Sequence, residues 1–198
     1  YNLGGRVQGR VDIPLNATGQ AQAEAGAERL EDYLGSLVAA TGPGGGAPAP
    51  CQIVSSPLSR ARATAQALAV RLAAEVTTHP GLAERDFGMW EGLTAEEIEK
   101  GWPDAYAAWR TGHDPQGVEV EPRRAVGQRF SDAVRSLAAT TGEGPLIVVA
   151  HGSAITQGTT ALLGMDASTW FGLRGLDNAH WARLRSSHRD PGWELVDW

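Results

Sequence analysis

Residues 147–152 read Ile147-Val148-Val149-Ala150-His151-Gly152, and this stretch decides the fold. An uninterrupted apolar run this short fits a buried parallel strand. His151 stands where such a strand ends, with Gly152 behind it. Ligands of open α/β sheets bind just beyond the carboxyl ends of the strands, so His151 is placed to act on something held at the sheet's edge. Taken alone, it also fits a solvated loop histidine, and the rest of the chain must narrow that choice.

Outward from this run, strand and helix patterns alternate. Strands are expected at Cys51–Ser55, at Val76–Thr78 and at about 146–150, with closing strands at 181–185 and 193–196. Asn16 is a good N-cap for an Ala-rich helix running to about Leu37. Pro57 opens a second helix that reaches about Ala74. Thr94-Ala95-Glu96-Glu97 signals the start of a short one. Two more are expected at about 123–139 and 153–163, the latter ended by Gly164. Residues 1–14 and 81–92 read as loops, and Pro103 and the stretch 112–122 as breaks. Residues 41–50, Thr-Gly-Pro-Gly-Gly-Gly-Ala-Pro-Ala-Pro, read as a flexible surface loop. The alternation predicts an α/β fold: a three-layer α/β/α sandwich around a mostly parallel central sheet.

With 198 residues the chain fits one domain with a substantial core. No apolar run approaches the length of a membrane span. A net charge of −6 argues against non-specific nucleic-acid binding. The one cysteine, Cys51, excludes an internal disulfide or a cysteine-based metal cluster and reads as a buried structural thiol. A cytoplasmic protein is expected.

Few residues are placed to carry chemistry. Arg60 falls in the first turn of its helix, where a guanidinium is unfavourable for the helix dipole. It can there grip a phosphate or carboxylate bidentately, or be an ordinary paired surface arginine. Glu84 lies a few residues past the short strand at 76–78. Near a bound phosphate its pKa would rise, suiting it to general acid work; the alternative is a solvated loop carboxylate. Asp86 and Glu91 are weaker candidates for that role. Asn2, Gln8 and Gly9 suit hydrogen bonding to an oxyanion, or simply turn geometry. His180 and His188 lack metal-ligand spacing to His151, so no metal and no cofactor is expected.

Taken in order, four segments resemble the histidine phosphatase superfamily, on its phosphoglycerate-mutase-like branch. They are Tyr1-Asn2 through Pro14-Leu15, Ser55 through Thr64, Leu82 through Thr94 and Val148 through Gly164. Ser-Ser-Pro-Leu-x-Arg-Ala-x-x-Thr-Ala, Phe-Gly-x-Trp-Glu-Gly and Val-x-Ala-His-Gly carry the resemblance across nearly the whole chain. It implies the phosphoglycerate mutase-like sandwich and catalysis through a phosphohistidine. Arg60 then matches the arginine that binds the phosphoryl group, Glu84 the proton donor and acceptor, and His151 the second histidine that steadies the transition state. Asn2 matches a phosphate-contacting asparagine, Gln8 and Gly9 the loop closing over the substrate, and Gly152 joins the binding residues.

One family element is not in the sequence. The resemblance places an Arg-His-Gly motif, with the nucleophile, roughly six residues before Asn2, within the ~3.5 Å per residue an extended chain can reach. The expectation is a single domain over 1–198 whose first strand and nucleophile lie upstream of Tyr1. Without that strand, backbone groups and an apolar trough would go uncovered. The competing reading is a non-catalytic domain that binds a phosphorylated ligand. Mutases of this type carry two adjacent arginines after a tryptophan; here Trp109-Arg110-Thr111 has one. Glu119 is the nearest match to the glutamate of a Gly-Glu-Ser found in phosphatases of the branch. The expected activity is therefore hydrolysis of a small phosphorylated metabolite, with phosphoglycerate mutase as the alternative. A homodimer is compatible with the sequence. Trp102, Tyr106 and Trp109 suit either a sugar-stacking wall or core packing.

Overall fold

The computed structural model describes residues 4–40, 50–142 and 144–198. The expected loop at 41–50 falls outside these except for Pro50, as does Asn2. Strands β1 (Gln52–Ser55), β2 (Val76–Thr78) and β3 (Leu146–Val149) form a parallel sheet in the order β2-β1-β3. Ile53 stands beside Val76 on one side and Ile147 on the other. A separate antiparallel pair joins β4 (Arg183–Ser186) to β5 (Trp193–Asp197).

Side chains alternate across a strand, and the two cores follow that period. Ile53, Ile147 and Val149 face helices α1 (Ala17–Ala39) and α2 (Ser59–Leu72), where Ala27, Ala65 and Leu68 are buried. Val54, Leu146 and Val148 face the opposite layer, α5 (Arg123–Thr140) and α6 (Gly152–Leu162), packing with Val126, Phe130 and Ala154. The three-layer sandwich is thus as expected. A third core, under α3 (Ala95–Gly101) and α4 (Pro103–Arg110), gathers Trp90, Ile98, Val118 and Val120.

Local chemistry explains the helix boundaries. The Asn16 side chain accepts from Gly19 N–H and opens α1. Thr94 and Glu97 close a capping box at α3. Helix α2 has no cap from its own flank; Asp12 reaches across from the opening loop, accepting from Ser59 N–H and Ser59 Oγ, each at 2.7 Å. Pro103 corrects its expected role: it occupies the first turn of α4, where its missing N–H costs nothing.

Two burial expectations are also corrected. Cys51 is half-buried rather than enclosed. All four residues of β3 are half-exposed, because among the described residues β3 pairs only with β1. Beside it runs a cavity of about 1030 Å³, bounded by β3, α1 and the segment 176–184. The far wall hangs from α1: a Cβ built on Gly26 would lie 2.6 Å from the Cβ of Ala179. Asn178 Nδ2 donates to Gln22 Oε1 at 3.3 Å on the same face.

Candidate active site

The carboxyl ends of β1 and β3 deliver the expected residues to one place. Past β1, Ser56 turns the chain and α2 begins at Ser59, which puts Arg60 in its first turn. Past β3, His151 precedes α6, and Gly152 is that helix's first residue. Gln8, Gly9, Arg60, Glu84, His151 and Gly152 all border the cavity beside β3.

Each side chain is held by identifiable partners. Arg60 Nη1 donates to Val11 O at 3.0 Å and Nη2 to Gly9 O at 2.7 Å, so its guanidinium carries the opening loop. The loop is gripped from its other side by Glu91, whose Oε1 accepts from Arg10 N–H at 2.6 Å. Gly9 has φ +55 and lies so close to Glu91 that a Cβ would overlap its carboxylate; glycine supplies both the left-handed turn and the space.

The Glu84 carboxylate sits on the amino end of α6. It accepts from Ala154 N–H at 2.9 Å, Ser153 N–H at 3.2 Å and Arg85 N–H at 2.7 Å. Unpaired N–H groups and the helix dipole favour an anion there. Burial nevertheless pushes the Glu84 pKa above the ordinary value, against the pull of those N–H groups and Arg60. A bound anion would add to such a rise, but in the free protein desolvation is the leading cause.

His151 is buried, and its Nε2 lies 2.7 Å from Ser56 Oγ. Desolvation, then the positive charges of Arg60 and Arg129, depress its pKa to about 3. At neutral pH the imidazole is therefore uncharged and forms a single hydrogen-bonded unit with Ser56. A dianion placed against Arg60 would reverse part of that depression.

Other expectations fare differently. Asp86 and Glu91 serve the backbone: Asp86 accepts from Gly88 N–H and Glu91 from Phe87 and Arg10. Glu119 points to solvent from a left-handed residue (φ 56). The carboxylate that reaches the site's framework is Glu121, two residues on, which accepts from Arg129, Arg10 and the N–H of Asp86. Sequence reading missed Glu121, Arg129 and Ser56. Arg129 stands on the expected helix, but Glu121 lies before it, two residues from Glu119, and no local pattern marks their pairing. Trp102, Tyr106 and Trp109 pack against the core of Trp90, Ile98, Val118 and Val120, and Trp109 also borders the cavity. Among the described residues, no group of three or more His, Cys, Asp or Glu side chains could hold a metal ion. No described helix is long and apolar enough to cross a membrane.

An arginine, a desolvated carboxyl and a buried imidazole around one cavity at the carboxyl ends of parallel strands define a protein that handles phosphoryl groups. The chain belongs to the histidine phosphatase superfamily, branch 1, whose description matches residues 1–198. A glucosyl-3-phosphoglycerate phosphatase of Mycolicibacterium vanbaalenii is 34% identical, with 100% of this chain and 88% of that protein aligned. One from Mycobacterium tuberculosis is 35% identical over 100% of this chain and 86% of its own length. The solved structure of a mycobacterial glucosyl-3-phosphoglycerate phosphatase with VO3 superposes with a TM-score of 0.81 at 35% identity, covering 100% of this chain and 92% of that one. The chain is accordingly a phosphatase, hydrolysing a phosphomonoester of a small metabolite.

Proposed function

We propose that this phosphatase works through a phosphohistidine, with Arg60, Glu84 and His151 as its described catalytic groups. Arg60 holds the phosphoryl oxygens, helped by His151 and by Gln8, Gly9 and Gly152 around the mouth. The family resemblance assigns Asn2 to the same binding set. Glu84 gives its proton to the leaving alkoxide as the P–O bond breaks and a histidine nitrogen–phosphorus bond forms. The returned carboxylate then takes a proton from water, which attacks phosphorus and frees the histidine. Convergence of Arg60, Glu84 and His151 on one cavity is the observation that carries this reading.

The nucleophile in this reading is a histidine upstream of Tyr1, on a strand lying along the open side of β3. The half-exposed Leu146–Val149 and the cavity beside them support it. The chain is then one domain whose first strand completes both sheet and site. The substrate we favour is glucosyl-3-phosphoglycerate or a similar sugar-bearing phosphoglycerate, because the relatives named above carry that name. A lone Arg110, exposed at the end of α4, favours hydrolysis over mutase transfer. The reaction needs no metal and no nucleic acid, fits the cytoplasm, and is compatible with a homodimer.

Rapid acid-free quenching of the natural gene product with phosphorus-32-labelled substrate tests the reading. A base-stable, acid-labile phosphoprotein should form and decay at the turnover rate. Turnover without any such species would overturn it.

A further inference from the structure

We propose that Arg129 and Glu121 form a clamp that positions Glu84 for proton transfer to the leaving group. The inference rests on the reading of Glu84 as the proton donor. All five N–H directions of Arg129 are committed. Nε donates to Glu121 Oε1 at 2.7 Å and Nη2 to Glu121 Oε2 at 3.0 Å, a two-bond fork. Nη1 donates to Gly81 O at 2.9 Å and Ala83 O at 2.7 Å, and Nη2 also to Glu84 O at 2.9 Å. One guanidinium therefore templates the main chain that leads into Glu84.

Glu121 grips the same segment from beyond it. Its Oε2 accepts from Asp86 N–H at 3.1 Å and from Arg10 Nη2 at 3.1 Å. Arg10 Nε returns to Glu84 O at 3.1 Å. The Glu84 carbonyl thus receives two guanidinium groups while its carboxylate lies on the amino end of α6. Arg129 belongs to α5, which packs against α6. Both ends of Glu84 are referenced to one helix pair, so its carboxyl keeps a fixed position relative to His151. An ion pair serving stability alone would need only the fork to Glu121. Lysine cannot replace this arginine, having three donors and no plane.

The test separates proton delivery from general damage by varying the leaving group. An alkoxide needs protonation to depart; p-nitrophenolate does not. The readout is kcat/KM of the natural gene product, which reports the P–O cleavage step, for 3-phosphoglycerate and for p-nitrophenyl phosphate. For Arg129→Lys and for Glu121→Gln, the value for the alkyl ester should fall about 10–100-fold and that for the aryl ester less than about threefold, within the range a general acid supplies. Glu84→Gln should show the same selectivity, and adding Arg129→Lys to it should cause no further selective loss.

Equal losses on both esters in the two clamp variants, with Glu84→Gln still selective, would overturn the clamp and leave Glu84 as the donor. So would an additive selective loss in the double variant. A Glu84→Gln enzyme without selectivity would instead remove the donor role, and the clamp's purpose with it. If Arg129→Lys melts far below the parent, Glu121→Gln alone decides, since it keeps the side chain's shape.

Discussion

β1 and β3 lie side by side, run parallel and are both rich in aliphatic residues, yet only one is sealed. Ile53 and Val54 of β1 are 0% and 1% exposed, while every residue of β3 is partly open. The apolar side chains do not explain the contrast; the neighbours do. β1 has a strand on each side and helices above and below. Among the described residues β3 has the same helices but one strand, and a cavity on its other side. Burial of a strand belongs to the sheet around it, and a half-open apolar strand marks where something else fits.

Both strands feed the site. Past the end of β1 come Ser56, which is buried, and Arg60, past the end of β3 comes His151, and Arg60 and His151 both border the cavity. Arg60→Ala and His151→Ala should each lower kcat/KM by about 10²–10³-fold, as loss of a charge-stabilising donor does. Steady-state kinetics on one phosphate ester would check this, and a much smaller loss at His151 would confine catalysis to the β1 side. In stability, Ile53→Ala should cost about 3 kcal/mol by urea unfolding, and Ile147→Ala about 1 kcal/mol, because its surroundings are already partly open. Equal losses at the two positions would break the contrast between the strands.

Ser56 links the two strand ends through its 2.7 Å contact to His151 Nε2. Ser56→Ala should cost about tenfold in kcat/KM, from a loosened imidazole rather than a lost charge. The finest distinction is spectroscopic. With a pKa depressed to about 3, the His151 ring should keep its neutral nitrogen shifts from pH 8 down to pH 5. Vanadate against Arg60 should move that titration upward. The folded pKa lies below the unfolded value near 6.5, so the unfolded chain takes the proton first, and His151 lowers stability as pH falls from 6.5 towards 3. Thermal melts of His151→Gln should lose that part of the acid sensitivity. Glu84 runs the other way: its raised pKa adds stability in acid that is lost as pH rises above its ordinary 4.5.

What could be read from sequence follows the same physics. Local signals gave the order of strands and helices, because apolar period, Asn16 and Thr94 act over a few residues. Pro103 misled because a proline that ends one helix can also begin the next. Arg60, Glu84 and His151 were legible through the motifs around them. Glu121 was not: Glu119 stands two residues away, and only the left-handed turn at that position sends one carboxylate to water and the other to Arg129. The openness of β3 had no local signal, since it depends on which strands pair beside it. Nor did the cause of the Glu84 shift, which comes from enclosure by elements that fold around it.

Gly26 sets a dimension that no motif records. Its missing side chain lets Ala179 come against α1, so the distance between that helix and the segment 176–184 is fixed by one hydrogen atom. A methyl group there would act as a shim, moving the wall outward before it touched any catalytic residue. Position 26 is therefore the gauge of the slot beside β3, the point that sets the room left between that strand and the segment 176–184.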